Sequence, residues 1–327
     1  MRGRVRIAVV GAGEWGLQHA RIFAGRPDVD LCAIVGRTPE RTRARAEQFG
    51  VSHYLDVEHM LDRERPDLVS LCLPNLEHFE PTLRVIEAGY PLLVEKPLVF
   101  EMKEADTLLE EAAGRDLFFA LNFNHRYARP VQLAQGAIEQ DLLGKVTFVT
   151  WRFGGEGSPT PHPYANLIET QCHGFDMLEH LCGPIESVMA QMTDKTGRGY
   201  STLVLALRFA NGAVGSLTGS YDSSYAYGGS HLLEINGTKG RVLIEDTARR
   251  YTLQTVGNET AHVWQAGYFN DRDREFHRTF DRHVEEMLGA FLRGAEPPIH
   301  ARSGRRALKL AYAAIESFET GKRVAVV

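Results

Sequence analysis

Short apolar runs alternate with segments of helical spacing from residue 5 to about residue 121. The apolar runs are Val5–Val10, Leu31–Val35, Leu68–Leu73, Leu92–Val94 and Leu117–Leu121. The segments whose apolar residues recur as on amphipathic helices are Trp15–Ala24, Pro39–Phe49, Glu80–Ala88 and Lys103–Ala113. This alternation predicts βαβ units and a parallel sheet.

The pattern changes after residue 121, where strand-like segments follow one another. They are Ser187–Thr193, Thr202–Phe209, Ala213–Tyr221, His231–Asn236 and Arg241–Glu245. The Asn-Gly pairs at 211–212 and 236–237 favour antiparallel hairpins between them. Helices are expected at Ala128–Glu139, Leu167–Leu181, Arg274–Arg293 and Arg302–Thr320. An α+β domain with a large, mainly antiparallel open sheet is therefore predicted to follow the α/β part.

Length and charge narrow the class of protein. A chain of 327 residues is long for one core, so we predict two domains, 1–121 and 122–327. The net charge of -5 and the absence of a long basic stripe argue against a nucleic-acid partner. The apolar stretch Ile7–Gly13 is too short for a signal peptide or a membrane span, and the four cysteines show no metal spacing. We expect a cytoplasmic protein.

A glycine motif follows the first strand, in Gly11-Ala12-Gly13-Glu14-Trp15-Gly16. Before a helix, such a motif is the dinucleotide-binding signature of a Rossmann domain. Gly11 allows the tight turn, Gly13 lets the backbone approach a diphosphate, and Gly16 lets the helix pack on the strand. Glu14 and Trp15 are expected to touch the diphosphate or the nicotinamide side. The alternative is a glycine-rich turn without a ligand.

The end of the second strand indicates which dinucleotide is preferred. NAD-specific proteins place a carboxylate there, about 20 residues after the glycine motif. This chain has Gly36, followed by Arg37, Thr38 and Arg41. A guanidinium and a helix N-terminus can hold a 2′-phosphate, so NADP is the predicted preference and NAD remains possible. The alternative is that the arginines only solvate the helix.

Two further segments resemble the Gfo/Idh/MocA family of NAD(P)-dependent sugar and cyclitol oxidoreductases. The first is Glu95-Lys96-Pro97, with Pro74-Asn75-Leu76-Glu77-His78 upstream and Gly321-Lys322-Arg323-Val324 at the end of the chain. The resemblance implies that the lysine lies near the nicotinamide ribose and the reacting hydroxyl. It also implies that the cofactor site includes Leu73, Pro74, Asn75, His78, Glu95, Lys96 and Asn122, although His78 and His19 are interpreted mainly as packing groups.

The second segment, 169–176, is similar to the family's Asp-x-x-x-His-x-x-Asp element. It departs from the family pattern twice: Glu169 replaces the commoner aspartate, and Gln171 stands where many members have glycine. Because 169 and 173 are four residues apart, they share one helix face. The resemblance implies that His173, Glu169 and Asp176 belong to the active site.

Oxidation of a carbinol requires loss of the hydroxyl proton, and histidine titrates near neutral pH. We therefore predict that His173 is the base, that Glu169 orients its imidazole, and that Lys96 orients the substrate and polarises its oxygen. Core or surface positions are the alternatives for each of them. A metal site formed by the helix face from Glu169 to His180 is a further alternative, but hydride transfer needs no metal and none is predicted.

Further substrate contacts are predicted from less specific positions: Arg126, His162, Tyr164 and Asp176. Together these observations predict an oxidoreductase that passes a hydride between NADP(H) or NAD(H) and a small polyhydroxylated substrate, and that forms a homodimer or homotetramer. Two alternatives stay open. One is an enzyme that uses the nicotinamide only transiently for elimination or glycosidic cleavage, and the other is a non-catalytic regulator that senses the dinucleotide.

Overall fold

The structure is a computed structural model that describes residues 4–157 and 160–326. The chain forms two compact units within these ranges. The first comprises residues 4–123 and 280–305, and the second comprises 124–279 and 306–326. Our predicted boundary at residue 121 lies beside the first break, but residues 280–305, which we assigned to the C-terminal domain, belong to the first unit.

A parallel sheet forms the centre of the first unit. Its strands in chain order are β1 (Val5–Val10), β2 (Val29–Val35), β3 (Ser52–Tyr54), β4 (Leu68–Leu71), β5 (Leu92–Glu95) and β6 (Phe119–Asn122). Their order in the sheet is β3-β2-β1-β4-β5-β6, and every pairing is parallel. This is the Rossmann order, so the predicted fold of the N-terminal half is confirmed.

Helices connect these strands, and all of them except α3 lie where the apolar spacing predicts. They are α1 (Glu14–Ala24), α2 (Pro39–Phe49), α3 (Val57–Glu64), α4 (Phe79–Glu87) and α5 (Met102–Gly114). Neither β3 nor α3 is predicted from the sequence. The β3 strand is short and polar and lies at the sheet edge, so it has no apolar run that would reveal it.

The second unit contains a sheet of nine strands within the described residues. In chain order they are β7 (Val146–Gly154), β8 (Ile185–Thr193), β9 (Thr202–Phe209), β10 (Val214–Ser220), β11 (His231–Gly237), β12 (Gly240–Glu245), β13 (Arg250–Thr255), β14 (Ala261–Gln265) and β15 (Val324–Ala325). The sheet order is β14-β13-β12-β11-β7-β10-β9-β8-β15. Only the β7–β10 pairing among these strands is parallel, so the predicted mainly antiparallel sheet is confirmed.

The strands of this sheet have one buried and one exposed face. On β9, Leu203, Leu205 and Leu207 are buried, whereas the residues between them are exposed. Helices pack on the buried face because a sheet with one apolar face must cover it. The helices beyond β6 are α6 (Arg129–Glu139), α7 (Cys172–Cys182), α8 (Arg272–Leu292) and α9 (Arg302–Thr320).

Turns between the antiparallel strands follow only part of the prediction. Asn211-Gly212 joins β9 to β10, and Gly212 has the positive φ of +88° that favours glycine. Asn236-Gly237 instead ends strand β11, and the chain reverses at 238–239. Four strands are not predicted from the sequence: β7, β13, β14 and β15. For β14 the reason is that most of its residues are exposed, so burial imposes no alternation.

Candidate active site

The glycine turn joins β1 to α1 too closely for side chains. Gly11 has a φ of +130°, and a Cβ on it would lie 2.1 Å from the carbonyl oxygen of Cys72. A Cβ on Gly16 would lie 1.8 Å from the carbonyl oxygen of Gly11. Gly11 is therefore required by its positive φ and by the close approach of Cys72 after β4, and Gly16 by the close approach of helix α1 to the turn.

Gly13 differs from the other two because a Cβ there would meet no atom within 4 Å. It is the N-cap of α1, and as a glycine it has no side chain to accept from the first-turn N–H groups. Free space beside the positive end of a helix fits the diphosphate of a dinucleotide. Glu14 next to it is largely exposed, and the ring of Trp15 stacks on Phe280 with 5.5 Å between centroids.

The segment after β2 has a packing reason for its glycine. A Cβ on Gly36 would lie 2.5 Å from Thr42 Oγ1 and 2.9 Å from the Cβ of Ala12. Packing alone therefore excludes a carboxylate at position 36. Arg37 lies on the surface and pairs with Glu77 at 2.5 Å, with side-chain exposures of 68% and 44%.

Thr38 and Arg41 are exposed at the start of α2. Thr38 occupies the N-cap of this helix, as its sequence predicts, and Pro39 follows it in the first turn. The Thr38 side chain makes no capping hydrogen bond. This helix N-terminus therefore keeps donors that could serve an anionic group.

A chain of buried polar side chains lies at the carboxyl ends of β4, β5 and β6. His19 is hydrogen-bonded to Ser70 through Nδ1 and to Glu95 Oε1 through Nε2, both at 2.8 Å. Asn122 donates to the same Glu95 oxygen at 2.6 Å and accepts from His283 Nδ1 at 2.7 Å. Ligands of open α/β sheets bind at this edge. The network therefore gives Glu95 and Asn122, both predicted cofactor residues, fixed positions beside Lys96.

Charges within this network stabilise each other. Burial opposes the protonated imidazole of His19, but Cys72 and the carboxylate of Glu95 raise its pKa to about 10. Burial likewise opposes the charged form of Glu95, but hydrogen bonds from His19 and Asn122, and the positive charges of His19 and Lys96, lower its pKa. Glu95 is therefore held as an anion opposite a cation.

Lys96 follows the end of β5 directly and is half-buried. Its backbone N–H lies 3.3 Å from Glu95 Oε2, and its peptide bond to Pro97 is cis. On the neighbouring strand end, Leu73 and Asn75 are half-buried and Pro74 is exposed. His78 is buried and donates from Nε2 to the carbonyl oxygen of Leu73 at 3.0 Å.

Burial lowers the pKa of His78, so its imidazole is neutral at pH 7. Its hydrogen bond to Leu73 closes the short helix Asn75–Glu77. His78 is therefore a buried group that shapes this segment, and its predicted contact with the cofactor stays a prediction.

In the second unit, the predicted helix Leu167–Leu181 is divided in two. Residues Asn166–Thr170 form a π-helix, and α7 follows from Cys172. Short π-helical segments are often found at functional sites. The side chain of Gln171 at the junction accepts from Trp151 Nε1 at 3.2 Å and donates to Asn166 Oδ1 at 3.0 Å.

The bulk of Gln171 is accommodated by a glycine on β10. A Cβ on Gly219 would lie 2.6 Å from the Gln171 side-chain amide. Gly219 therefore provides the space that a residue larger than glycine needs at position 171. This explains how the chain tolerates the departure noted in its sequence.

The other departure, Glu169, lies in the π-helix and is buried. Its two carboxylate oxygens accept hydrogen bonds from the hydroxyls of Tyr221, at 2.8 Å, and Thr160, at 2.7 Å. Burial and the charge of Glu169 raise the pKa of Tyr221, so Tyr221 stays protonated and can donate. The sequence pattern associates Glu169 with His173 and does not reveal either hydroxyl, because both lie on other segments of the chain.

His173 is buried on α7, and its ring stacks on the ring of His125. The ring centroids are 3.9 Å apart and the planes differ by 12°. Phe153 meets His173 edge-on at 6.4 Å. The predicted base is therefore held within an aromatic cluster, and His125 is a neighbour that the sequence did not single out.

Asp176 and Arg126, both predicted to contact substrate, pair with each other. Arg126 Nε donates to Asp176 Oδ2 at 2.8 Å, and Nη2 donates to Oδ1 at 2.5 Å. Burial raises the pKa of Asp176 and the guanidinium opposes this effect. One turn further, burial and the charge of Arg126 lower the pKa of His180 to about 4. His180 is therefore neutral at pH 7.

His162 and Tyr164 lie in a groove of about 580 Å³ that residues 162–164, α9 and β15 line. The hydroxyl of Tyr164 donates to Glu319 at 3.0 Å, and its ring stacks on Tyr200 with centroids 5.0 Å apart. The lining of this groove does not include Glu169, His173 or Asp176. These two predicted substrate residues therefore line a groove to which the candidate site residues of α7 and the π-helix do not contribute.

Each of the two units is matched by a model of a known protein family. The family model described as "Oxidoreductase family, NAD-binding Rossmann fold" matches residues 5–123, and "Oxidoreductase family, C-terminal alpha/beta domain" matches residues 136–326. The chain belongs to the Gfo/Idh/MocA oxidoreductase family. It is a hydride-transfer oxidoreductase that acts with a nicotinamide dinucleotide, as its sequence predicts.

Individual relatives of this oxidoreductase resemble it over at least four fifths of their length. The "Myo-inositol 2-dehydrogenase" of Thermotoga maritima is 27% identical, over 98% of both chains. The "2,7-anhydro-N-acetylneuraminate hydratase" of Mediterraneibacter gnavus is 24% identical, over 91% of this chain and 82% of its own. A levoglucosan dehydrogenase solved in complex with NADH and levoglucosan superposes with a TM-score of 0.88 at 20% identity, over 99% of both chains.

The described residues of the oxidoreductase contain neither a metal-binding cluster nor a membrane-spanning helix. In residues 4–157 and 160–326, no group of three or more His, Cys, Asp or Glu side chains is placed to hold a metal ion. In the same part of the chain, no helix is long and apolar enough to cross a membrane.

Proposed function

We propose that this oxidoreductase passes a hydride between the nicotinamide of its dinucleotide and a carbinol or carbonyl carbon of a sugar, a cyclitol or a derivative. The observation that carries the proposal is the buried imidazole of His173 on α7. Four residues before it lies Glu169, whose carboxylate is held by hydroxyls, and three residues after it lies Asp176, whose carboxylate is ion-paired. The inositol and levoglucosan dehydrogenases among its relatives support the choice of substrate class.

His173 is the proposed base. It accepts the proton of the substrate hydroxyl during oxidation and returns it during reduction, because histidine can carry a proton in either direction near pH 7. The bound nicotinamide supplies the site that accepts or donates the hydride. Glu169 stabilises positive charge that develops on the imidazole, from a position fixed by Tyr221 and Thr160.

Lys96 is the proposed group that orients the substrate and polarises the reacting oxygen. The backbone N–H of Lys96 lies 3.3 Å from the carboxylate of Glu95, which the buried network holds, so the Lys96 side chain leaves the backbone at a fixed point. The ion pair of Arg126 and Asp176 is proposed to bind substrate hydroxyls. A guanidinium that makes one bidentate contact still has N–H groups that can donate to a substrate. His162 and Tyr164 stay predicted substrate contacts.

The NADP preference stays a prediction, supported by Arg37, Thr38 and Arg41 at the surface near the end of β2. Gly36 no longer supports it, because packing requires glycine there with either dinucleotide. The levoglucosan dehydrogenase with a similar fold contains NADH. We therefore propose that NAD is also a substrate and that Arg37 decides the ratio between the two.

A second candidate is transient use of the nicotinamide without net redox change. It is favoured by the hydratase relative, whose name describes addition or removal of water. In that case the substrate is oxidised, undergoes elimination or cleavage, and takes the hydride back. A product that forms without any change in nicotinamide absorbance would identify this reaction.

We also propose a homodimer or homotetramer in the cytoplasm. The exposed face of the second unit's sheet carries the large apolar side chains Phe148, Met189, Val204 and Val214. An apolar patch of this kind is often covered by another subunit. All four cysteines are buried free thiols, as expected in a reducing compartment. Light scattering that finds only 36.5 kDa would contradict the oligomer.

The test of the proposed function is a substrate screen followed by two substitutions. Purified protein is incubated with NAD or NADP and a panel of sugars, sugar acids and inositols, and nicotinamide absorbance is followed. With the best substrate, Lys96→Ala and His173→Ala should each lower kcat by about 100-fold or more, because a positioned acid or base contributes about that much.

Dinucleotide affinity, measured by nicotinamide fluorescence, should stay within about threefold of the unmodified protein in both variants. The control is His180→Ala, which removes a neutral imidazole from the same helix and should keep kcat within about threefold. Rates close to those of the unmodified protein in both test variants would refute the assigned roles.

A further inference from the structure

Two imidazole rings are stacked in the second unit. His125 belongs to the short helix Asn124–Tyr127 and His173 to α7, and both side chains are buried. With centroids 3.9 Å apart and planes within 12°, the rings are in van der Waals contact over their faces. A second imidazole in face contact with the proposed base affects the proton chemistry of that base, because a charge on either ring changes the pKa of the other.

Apolar rings surround the pair on its other sides. Phe153 of β7 lies edge-on to both imidazoles, with centroids 5.8 Å from His125 and 6.4 Å from His173. Phe276 of α8 meets His125 edge-on at 6.1 Å. Water is therefore largely excluded from the stack, and a charge on one ring is weakly screened from the other.

Charged groups on the neighbouring segments have partners of their own. Arg126 is paired with Asp176. The carboxylate of Glu169 is held by two hydroxyls. On α8, Glu275 accepts from the Asn270 amide and lies 3.9 Å from Arg278. His125 is the titratable group whose ring lies face to face with that of His173.

We propose that His125 is a positioning residue for the base, whose ring fixes the plane of His173 and whose own charge prevents the two rings from being protonated together. This inference rests on the proposed role of His173. Two stacked imidazoles share the first proton and resist the second, since two cations at this distance repel each other. At acidic pH, the fraction of molecules in which His173 is neutral is therefore larger than it would be for a single imidazole.

The consequence is a characteristic shape of the acidic limb of the rate profile. With one histidine, kcat/KM for alcohol oxidation falls tenfold per pH unit below the titration of the base. With the coupled pair, the first proton is distributed over both rings, so kcat/KM falls less steeply until the second proton binds. The difference grows as the pH decreases.

The experiment compares the unmodified enzyme with His125→Phe, which keeps a ring in the stack but removes the titrating group. Both are assayed for alcohol oxidation from pH 5 to 9 at saturating dinucleotide. We expect the ratio of kcat/KM, unmodified over variant, to be near 1 on the alkaline side and to rise to about tenfold on the acidic side. A ratio that is independent of pH would overturn the inference, because it would leave His125 only a structural role.

The matched control is His231→Phe. His231 also packs on Phe153, with centroids 3.8 Å apart, but it is not stacked on the base, so its removal should leave the shape of the pH profile unchanged. His173→Ala separates the two proposals. If that variant keeps its rate, the proposed function fails; if it loses its rate while the His125→Phe ratio stays flat, only the present inference fails.

A titration that needs neither substrate nor the His125→Phe variant gives a second test. Imidazole resonances of His125 are followed by NMR in the unmodified protein and in His173→Phe, with saturating NAD. We expect His125 to titrate at a higher pH in the variant, because its competitor for the proton is gone. Identical titration curves would overturn the inference.

Discussion

The glycine turn of the first unit and the α7 region of the second unit are built on opposite principles. The turn works because side chains are missing: a Cβ on Gly11 or Gly16 would overlap backbone atoms, and one on Gly13 would enter open space. The α7 region works because buried side chains hold one another, as Tyr221 and Thr160 hold Glu169. The first binds through backbone geometry, whereas the second depends on contacts between distant parts of the chain.

The comparison predicts the largest effect at Gly16. In Gly16→Ala the new Cβ would lie 1.8 Å from a backbone oxygen, so the helix must move, and the free energy of unfolding should fall by about 3 kcal/mol. Gly13→Ala meets no protein atom within 4 Å and should fold normally. It should nevertheless weaken dinucleotide binding by at least about tenfold, because the methyl group occupies the approach of the diphosphate.

Thermal unfolding and fluorescence titration with NAD and NADP distinguish these outcomes. Loss of stability in Gly13→Ala, or unchanged dinucleotide affinity in a folded Gly13→Ala, would contradict the assigned difference between the two glycines.

A smaller effect is predicted for Glu95→Gln, which keeps the shape of the buried network but removes its negative charge. Because the pKa of His19 is raised, its contribution to stability is full below about pH 6.5 and declines as the pH rises to about 10. The pKa of Glu95 is lowered, so the stability that its carboxylate contributes is lost only at acidic pH, as the carboxylate becomes protonated. The variant should therefore lose about 2 kcal/mol at pH 6.5 and less at pH 9.5.

Urea unfolding at both pH values measures this difference. The control is Glu58→Gln, which removes an exposed ion pair with Arg84 and should cost less than about 0.5 kcal/mol at either pH. Equal losses for Glu95→Gln at the two pH values would show that the buried charge pair does not form.

In the α7 region, Tyr221→Phe removes one donor to Glu169 and leaves the ring in place. We expect kcat to fall about tenfold, since a hydrogen bond to a charged group contributes about 1.5 kcal/mol or more, while the affinity for the dinucleotide is unchanged. Tyr251→Phe, at another buried tyrosine of the same unit, should keep kcat within about twofold. Steady-state kinetics check both, and equal rates for the two variants would remove the role of Tyr221.

The smallest effect is expected at Arg37, because its side chain is 68% exposed and already pairs with Glu77. Arg37→Ala should raise the KM for NADP about threefold and leave the KM for NAD unchanged. Arg43→Ala, at an exposed arginine within helix α2, is the control and should change neither. Equal changes for both dinucleotides would end the case for an NADP preference.

The sequence was most informative where structure is decided locally. Strand β1, helix α2, strand β9 and helix α9 have the predicted limits because apolar spacing and the Thr38-Pro39 cap define them over a few residues. The glycine turn is equally local. Strand β3 could not be predicted because it is short and polar and lies at the edge of the sheet.

The side-chain contacts of the site could not be predicted because their partners are far apart in sequence. Glu169 and Tyr221 are 52 residues apart, and Asn122 and His283 are 161 apart. The fit of Gln171 against Gly219 is a second example, since neither residue alone indicates the other. Only the fold makes these residues neighbours.

The return of residues 280–305 to the first unit means that the nucleotide-binding half is discontinuous in the gene. A fragment that ends at residue 123 would lack Phe280 beside Trp15, and it would lack His283, the partner of Asn122. A chimera that exchanges the dinucleotide-binding half with that of a relative must therefore transplant both segments together. Recombination at a single crossover near residue 123 would combine the Rossmann sheet of one parent with the residues 280–305 of the other.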